Sequence, residues 1–126
     1  MEKRIVTRKD APKSDSPYSP AVVCGSLVFV SGQVPIDPST GAFRSGTLAE
    51  QANLTLENLR AVLEEAGSSM DKVLKTTVFL ADMADFAAFN EIYKRYFPKD
   101  RPARSCIGVK ELPFGARVEI EAIACL

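Results

Sequence analysis

The strand-forming segments of this chain carry apolar residues on both sides, and this property restricts the possible folds severely. Leu27 and Phe29 alternate with Val28 and Val30, and residues 73–80, with the sequence VLKTTVFL, follow a similar pattern. A strand that is apolar on both sides is stable where both faces of its sheet are buried. The sheet that these segments form therefore needs a cover on each face.

Two amphipathic helices are predicted, and together they cover one face. The first lies between Thr47, which has the capping-box spacing to Glu50, and Gly67, which suits the left-handed residue after a helix. The second is predicted over residues 82–97, where apolar residues recur at helical spacing before Pro98. A second cover for the sheet must come from elsewhere.

The order of the elements predicts a mixed α+β fold. Strands are expected over residues 4–8, 21–24, 27–31, 73–80, 103–109 and 116–124. The order β, ββ, α, β, α, ββ places both helices on one face of a mixed sheet. The 126 residues suffice for one domain, residues 1–126. Because the second face lacks a cover, we predict a homo-oligomer whose interface is the open side of the sheet.

The chain contains no histidine, and this absence excludes several kinds of catalytic site. A Ser-His-Asp triad, a Cys-His dyad and a His-ligated zinc all require an imidazole. Chemistry must therefore come from carboxylates, guanidinium groups, hydroxyls, thiols and the backbone. Sixteen basic residues balance sixteen acidic ones, which argues against a nucleic acid or an anionic membrane as partner.

The three cysteines indicate a reducing environment. Cys24, Cys106 and Cys125 are odd in number and form no C-x-x-C pair. The N-terminal sequence MEKRIVTRKD has no apolar signal region, and no apolar stretch approaches the length of a membrane span. We therefore expect free thiols and a cytoplasmic location.

The last two predicted strands carry charged residues among apolar ones. Arg104 and Cys106 share one side of the first strand, and Glu119 and Glu121 share one side of the second. If the apolar sides of both strands look towards the helices, all four residues point to the open side. Because a charge buried in an interface is costly unless it is paired or binds a ligand, this favours a ligand pocket between subunits.

Each candidate residue also has a purely structural interpretation. An Arg and a Glu on neighbouring strands commonly form a cross-strand ion pair. Cys106 suits a small buried apolar position, since no histidine is present to deprotonate it. Ser31 and Gly32 suit a plain turn, Tyr18 a packing residue, and Asn90 an exposed or locally bonded amide. None of these residues identifies a site alone.

Several motifs taken together resemble one known family. The most specific is Arg101-Pro-Ala-Arg-Ser-Cys106, followed by Glu111-Leu-Pro and Val118-Glu-Ile-Glu-Ala-Ile-Ala124. Ser16-Pro-Tyr18, Phe29-Val-Ser-Gly-Gln33, residues 73–80, and Asp85-Phe86 with Asn90 precede it. Over essentially its whole length the chain resembles the reactive-intermediate deaminase (Rid) family, also called the YjgF/UK114 family. It is most similar to the branch of 2-iminobutanoate/2-iminopropanoate deaminases.

This resemblance implies a fold, an assembly and a reaction. The fold would be like that of chorismate mutase, with three copies forming a trimeric barrel and one site at each subunit interface. The reaction would be hydrolysis of 2-imino acids, formed from enamines such as 2-aminoacrylate, to 2-keto acids and ammonia. The resemblance implies no cofactor and no metal.

The resemblance also assigns roles to residues of this chain. Arg104 matches the arginine that grips the substrate carboxylate, a role that suits a planar guanidinium. Glu119 matches the glutamate that activates the attacking water, and Cys106 matches a position that lines the site without acting as nucleophile. Further pocket-lining positions are Tyr18, Ser31, Gly32 and Asn90. Glu121 matches no catalytic position.

Two alternative functions remain compatible with the same family. One is a non-catalytic module that binds small carboxylates through the Arg104 pocket. The other is a stress chaperone, and endoribonuclease activity has been ascribed to some relatives.

Overall fold

Six strands form one mixed sheet in the computed structural model, which describes residues 1–126. They are β1 (Lys3–Val6), β2 (Ala21–Cys24), β3 (Leu27–Gln33), β4 (Val73–Leu80), β5 (Ala103–Gly108) and β6 (Val118–Cys125). Their order across the sheet is β1-β2-β3-β6-β4-β5. Neighbouring strands are antiparallel except β4 and β5, which are parallel and are joined by a helical crossover. The strand boundaries differ from the predicted ones by at most two residues.

Helix α1 (Leu48–Glu65) begins at the predicted capping box. The Glu50 amide donates to Thr47 Oγ1 at 3.2 Å, and the Thr47 amide donates to Glu50 Oε1 at 3.3 Å. These bonds satisfy amides that have no partner within the helix. Gly67 follows the helix with a φ of +90°, a conformation that favours glycine. The helix packs its apolar face against β3 and β6.

Helix α2 (Phe86–Tyr96) begins four residues later than predicted. The preceding residues Met83–Asp85 form a 3₁₀ turn, because the Asp82 side chain accepts the Ala84 amide at 2.9 Å and tightens the chain there. The Tyr93 hydroxyl of α2 bonds to the buried Thr76 of β4, 2.7 Å away. Both helices therefore lie on one face of the sheet, as predicted, and neither has the length and apolar character of a membrane-spanning helix.

The hydrophobic core lies between the helices and this covered face. Its fully buried large side chains include Val28, Leu56, Leu59, Leu63, Val78, Leu80, Phe89, Val118 and Ile120. The alternate side chains of the strands point to the opposite side of the sheet, which we call the open face. Four apolar side chains there, Ile5, Leu27, Phe29 and Ile107, are between 38% and 48% exposed. No element of the chain covers the open face.

The predicted orientation of β5 is wrong. The apolar side of this strand, which carries Ala103, Ser105 and Ile107, is supposed in the sequence-based prediction to look towards the helices, but all three residues are exposed on the open face. Arg104 is instead paired in parallel register with the buried Thr76, so its side chain lies on the helix side. The prediction assumed that only the helix side of this edge strand is apolar, whereas the open face is apolar as well.

The observed orientation of β5 places the four polar residues of the last two strands on two different faces of the sheet. Glu119 and Glu121 of β6 lie on the open face, as predicted, because the residues between and beside them are buried under the helices. Arg104 and Cys106 lie on the covered face, where Cys106 packs against the core. The four residues therefore do not share one face within a chain.

Candidate active site

The predicted site residues form two groups on opposite faces of the sheet. The group on the helix side, which we call the arginine group, consists of Asn90, Arg104 and Cys106. The group on the open face, which we call the glutamate group, consists of Ser31, Gly32 and Glu119. Side chains on opposite faces of a sheet point away from each other. A small ligand cannot contact both groups of one chain.

A surface pocket of about 390 Å³ lies between α2 and β5, and Arg104 is one of the residues that line it. Asn90, Tyr93, Lys94, Arg101 and Arg104 contribute to its lining. The Arg104 guanidinium is half-buried, has no carboxylate within 4.0 Å, and makes no hydrogen bond. All its N–H donors are therefore free for an anionic ligand.

Asn90 lines the same pocket and has an unpaired acceptor. Its Oδ1 atom is buried and has no hydrogen-bond partner. A buried acceptor without a donor costs about 1–3 kcal/mol. Because this atom is not accessible at the surface of the single chain, a ligand would reach it only after the Asn90 side chain rotates.

Cys106 has the properties of a lining residue. The thiol is half-buried, and burial raises its pKa above the ordinary value, although the charge of Arg104 opposes this effect. A protonated thiol is a poor nucleophile. The environment therefore favours contact over covalent chemistry, and the predicted lining role of Cys106 stays a prediction.

Glu119 of the glutamate group lies directly against Gly32. A Cβ atom added at Gly32 would collide with the Glu119 carboxylate and would lie 2.9 Å from its Cδ atom. The missing side chain at position 32 therefore provides the space in which the carboxylate sits. The contact brings together two residues that are far apart in the sequence.

The surroundings of Glu119 make its carboxylate a stronger base than an ordinary glutamate. Burial raises its pKa above the ordinary value, and the neighbouring charge of Glu121 raises it further. Glu119 forms no ion pair that would oppose these effects. A carboxylate with a raised pKa is a stronger base, which suits general-base catalysis.

Ser31 is the hydroxyl-bearing member of the glutamate group, and Tyr18 lies near it along the chain. The Ser31 hydroxyl donates to the Ser19 carbonyl at 2.6 Å, and its amide donates to the Pro20 carbonyl at 3.0 Å. The hydroxyl oxygen can still accept a hydrogen bond from a ligand. Tyr18 precedes Ser19, and its side chain is 65% exposed. Its predicted contact with a ligand stays a prediction.

The apolar spacing of residues 82–97 predicts the second helix but does not indicate that Phe86 and Tyr93 contact Arg104. The guanidinium carbon lies 5.7 Å from the centre of the Phe86 ring and 4.8 Å from that of Tyr93. One sequence feature pointed to a polar contact of Tyr93, because a tyrosine at a core-facing position needs a partner for its hydroxyl.

The structure contains no group of three or more His, Cys, Asp or Glu side chains that could hold a metal ion.

The chain thus combines a six-stranded α+β sheet with an unpaired arginine on one face and a half-buried carboxylate on the other. Residues 8–126 match the family model described as Endoribonuclease L-PSP. The RutC family protein y4sK of Sinorhizobium fredii is 50% identical over 121 residues, which cover 96% of each chain. The human 2-iminobutanoate/2-iminopropanoate deaminase is 45% identical over 122 residues, covering 97% of this chain and 89% of that one.

A solved structure agrees with these sequence matches. The crystal structure of E. coli TdcF with bound serine superimposes with a TM-score of 0.88, is 42% identical, and covers 98% of each chain. The chain belongs to the Rid family, which includes the RutC and L-PSP proteins. The family resemblance of the sequence motifs is thereby confirmed.

Proposed function

We propose that this protein hydrolyses 2-imino acids, which arise from enamines such as 2-aminoacrylate, to 2-keto acids and ammonia. The observation that carries the proposal is the half-buried Arg104 guanidinium, which has no carboxylate within 4.0 Å. A relative named 2-iminobutanoate/2-iminopropanoate deaminase supports the reaction. The structure of E. coli TdcF with bound serine supports the ligand class, because serine shares its α-carboxylate with 2-imino acids.

Arg104 anchors the substrate through its carboxylate. A guanidinium can donate two parallel hydrogen bonds to a carboxylate, which sets both position and orientation. The imine nitrogen then lies within the pocket that Asn90 also lines, where the Asn90 side chain, once rotated, can accept a hydrogen bond from the imine N–H. Fixing the imine carbon in this way lowers the entropic barrier to attack by water.

Glu119 acts as the general base. It takes a proton from water as the water oxygen bonds to the carbon of the protonated imine, giving a carbinolamine. Glu119 then gives this proton to the carbinolamine nitrogen. As the C–N bond breaks, the hydroxyl proton of the carbinolamine returns to the Glu119 carboxylate, the C=O bond forms, and ammonia and a 2-keto acid leave. A positioned base contributes about 10²–10⁴-fold to such a step. These steps need only the anchor, the carboxylate and water.

The active unit in this proposal is a homotrimer. Because Arg104 and Glu119 lie on opposite faces of one chain, a shared ligand requires the arginine group of one copy and the glutamate group of a neighbour. The uncovered apolar side chains of the open face support such packing. The three unpaired cysteines fit the reducing cytoplasm predicted for it.

A coupled assay tests the reaction. The purified protein is mixed with threonine and a threonine dehydratase, and the 2-keto acid is followed while semicarbazide competes for the imine. We expect acceleration by the unmodified protein, loss of acceleration in Arg104→Ala, and full activity in the control Arg95→Ala, an exposed arginine of α2. Binding of 2-oxobutanoate without acceleration would support the non-catalytic alternative instead.

A further inference from the structure

Two aromatic rings enclose the Arg104 side chain on the helix side of the sheet. Phe86 and Tyr93 are seven residues apart on α2 and therefore lie on the same side of the helix. Their ring centres are 5.7 Å and 4.8 Å from the guanidinium carbon, within the range of about 6 Å for cation–π attraction.

Other arginines of the chain are held differently. Arg8, Arg44 and Arg60 donate to carboxylates, at 2.7, 3.1 and 2.8 Å. Arg101 donates to the backbone carbonyl of Phe97 at 2.7 Å. Such partners occupy N–H donors, and carboxylates also neutralise the charge. A ring contacts the face of the guanidinium and leaves the donors at its edge free.

Tyr93 is itself fixed in position. Its side chain is buried, and its ring packs against Phe89 and Phe97, with ring centres 5.7 Å and 4.6 Å away. Its hydroxyl bonds to Thr76 Oγ1 at 2.7 Å, and Thr76 is the residue of β4 paired with Arg104 in register. Burial raises the pKa of the Tyr93 hydroxyl, so the phenol remains neutral and does not compete as an anion for the guanidinium.

We propose that Tyr93, held by Thr76 and assisted by Phe86, is a positioning residue that orients Arg104 for carboxylate binding while leaving its charge and donors free. The inference rests on the proposed role of Arg104 as carboxylate anchor. Within the chain no hydrogen bond or ion pair holds the guanidinium, so the rings set its direction before the substrate arrives.

Substitutions at Tyr93 separate the ring from its hydroxyl. Tyr93→Leu removes the ring, and we expect it to raise KM and the Kd for 2-oxobutanoate by about 2- to 30-fold with a smaller change in kcat. Tyr93→Phe keeps the ring, and we expect both constants within about threefold of the unmodified protein. The matched control is Tyr96→Leu, because Tyr96 stacks on Arg60 at 5.1 Å, away from Arg104. The control is expected to leave Kd unchanged.

A double substitution distinguishes positioning from general damage. Calorimetry measures the Kd for 2-oxobutanoate for Tyr93→Leu, Arg104→Ala and the double variant, with circular dichroism verifying the fold of each. If Tyr93 acts through Arg104, Tyr93→Leu weakens binding only while Arg104 is present. An equal loss in both backgrounds, or none in either, overturns the inference. If the single variant Arg104→Ala binds 2-oxobutanoate as tightly as the unmodified protein, the proposed role of Arg104 as carboxylate anchor is wrong.

Discussion

At the scale of single residues, the contact between Gly32 and Glu119 leaves no space for a side chain at position 32. Gly32 does not need a left-handed backbone, and the three atoms nearest to an alanine Cβ there all belong to the Glu119 side chain. We expect Gly32→Ala to push the carboxylate aside and to lower kcat by about 10- to 100-fold, part of the full contribution of a general base. Because the obstructing atoms end a flexible side chain, the melting temperature should change little. Steady-state kinetics and thermal unfolding measure the two effects.

A second glycine provides the control for this substitution. An alanine Cβ at Gly41 would meet no atom within 4 Å, but the φ of +77° at this position is one that an alanine adopts only with strain. Gly41→Ala should therefore reduce the melting temperature and leave kcat unchanged. Full activity in Gly32→Ala would contradict the assignment of the Glu119 carboxylate as the base.

Glu121 influences the pH at which Glu119 loses its proton. The pKa of Glu119 is raised first by burial and then by the charge of Glu121. Glu121→Gln removes that charge, so the pKa of Glu119 should fall towards its ordinary value. Because the base must be deprotonated, the acidic limb of the kcat/KM profile should then move to lower pH. The control is Glu64→Gln, an equal charge change on the exposed side of α1, which should leave the acidic limb where it is in the unmodified protein. If Glu121→Gln also leaves the acidic limb unmoved, the assignment of Glu119 as the base is contradicted.

Among the secondary-structure elements, those with strong local signals were predicted well. The capping box and Gly67 located α1, and residues 73–80 form β4 as expected. The start of α2 was predicted too early, because the Asp82 side chain forms a local turn that apolar spacing does not reveal. The side of β5 was predicted wrongly because an edge strand between two apolar surfaces carries no local signal for which surface it faces.

The capping box of α1 should contribute to stability without affecting the site. Thr47→Ala removes the side-chain oxygen that accepts the Glu50 amide. We expect a loss of about 1 kcal/mol in the free energy of unfolding and a fall of about 4 °C in melting temperature, with kcat/KM unchanged. Thr7→Ala, at an exposed position outside the helix, is the control and should unfold like the unmodified protein. Equal melting temperatures for both variants would show that the cap contributes nothing.

For the whole molecule, the sequence motifs identified residues of the candidate site but not their arrangement. Motif similarity named Arg104, Glu119 and Gly32 individually, since each stands in a recognisable segment. The Gly32–Glu119 contact and the separation of Arg104 from Glu119 depend on strand order and on the direction of β5, which act over long sequence distances. Because of that separation, the proposed reaction requires a site shared between two copies of the chain, which the proposed trimer provides.

Mixing two inactive variants tests this requirement directly. Arg104→Ala and Glu119→Gln chains are each expected to be inactive, but a site between copies can combine an intact Arg104 from one chain with an intact Glu119 from its neighbour. Random assembly of equal amounts, by co-expression or refolding together, should restore about a quarter of the sites, since each site needs one particular variant on each side of a cyclic interface. Light scattering should give three times the 13.7 kDa chain mass for all species. No recovered activity in mixed trimers would show that one chain supplies both residues, and a species at the mass of a single chain would exclude the shared site.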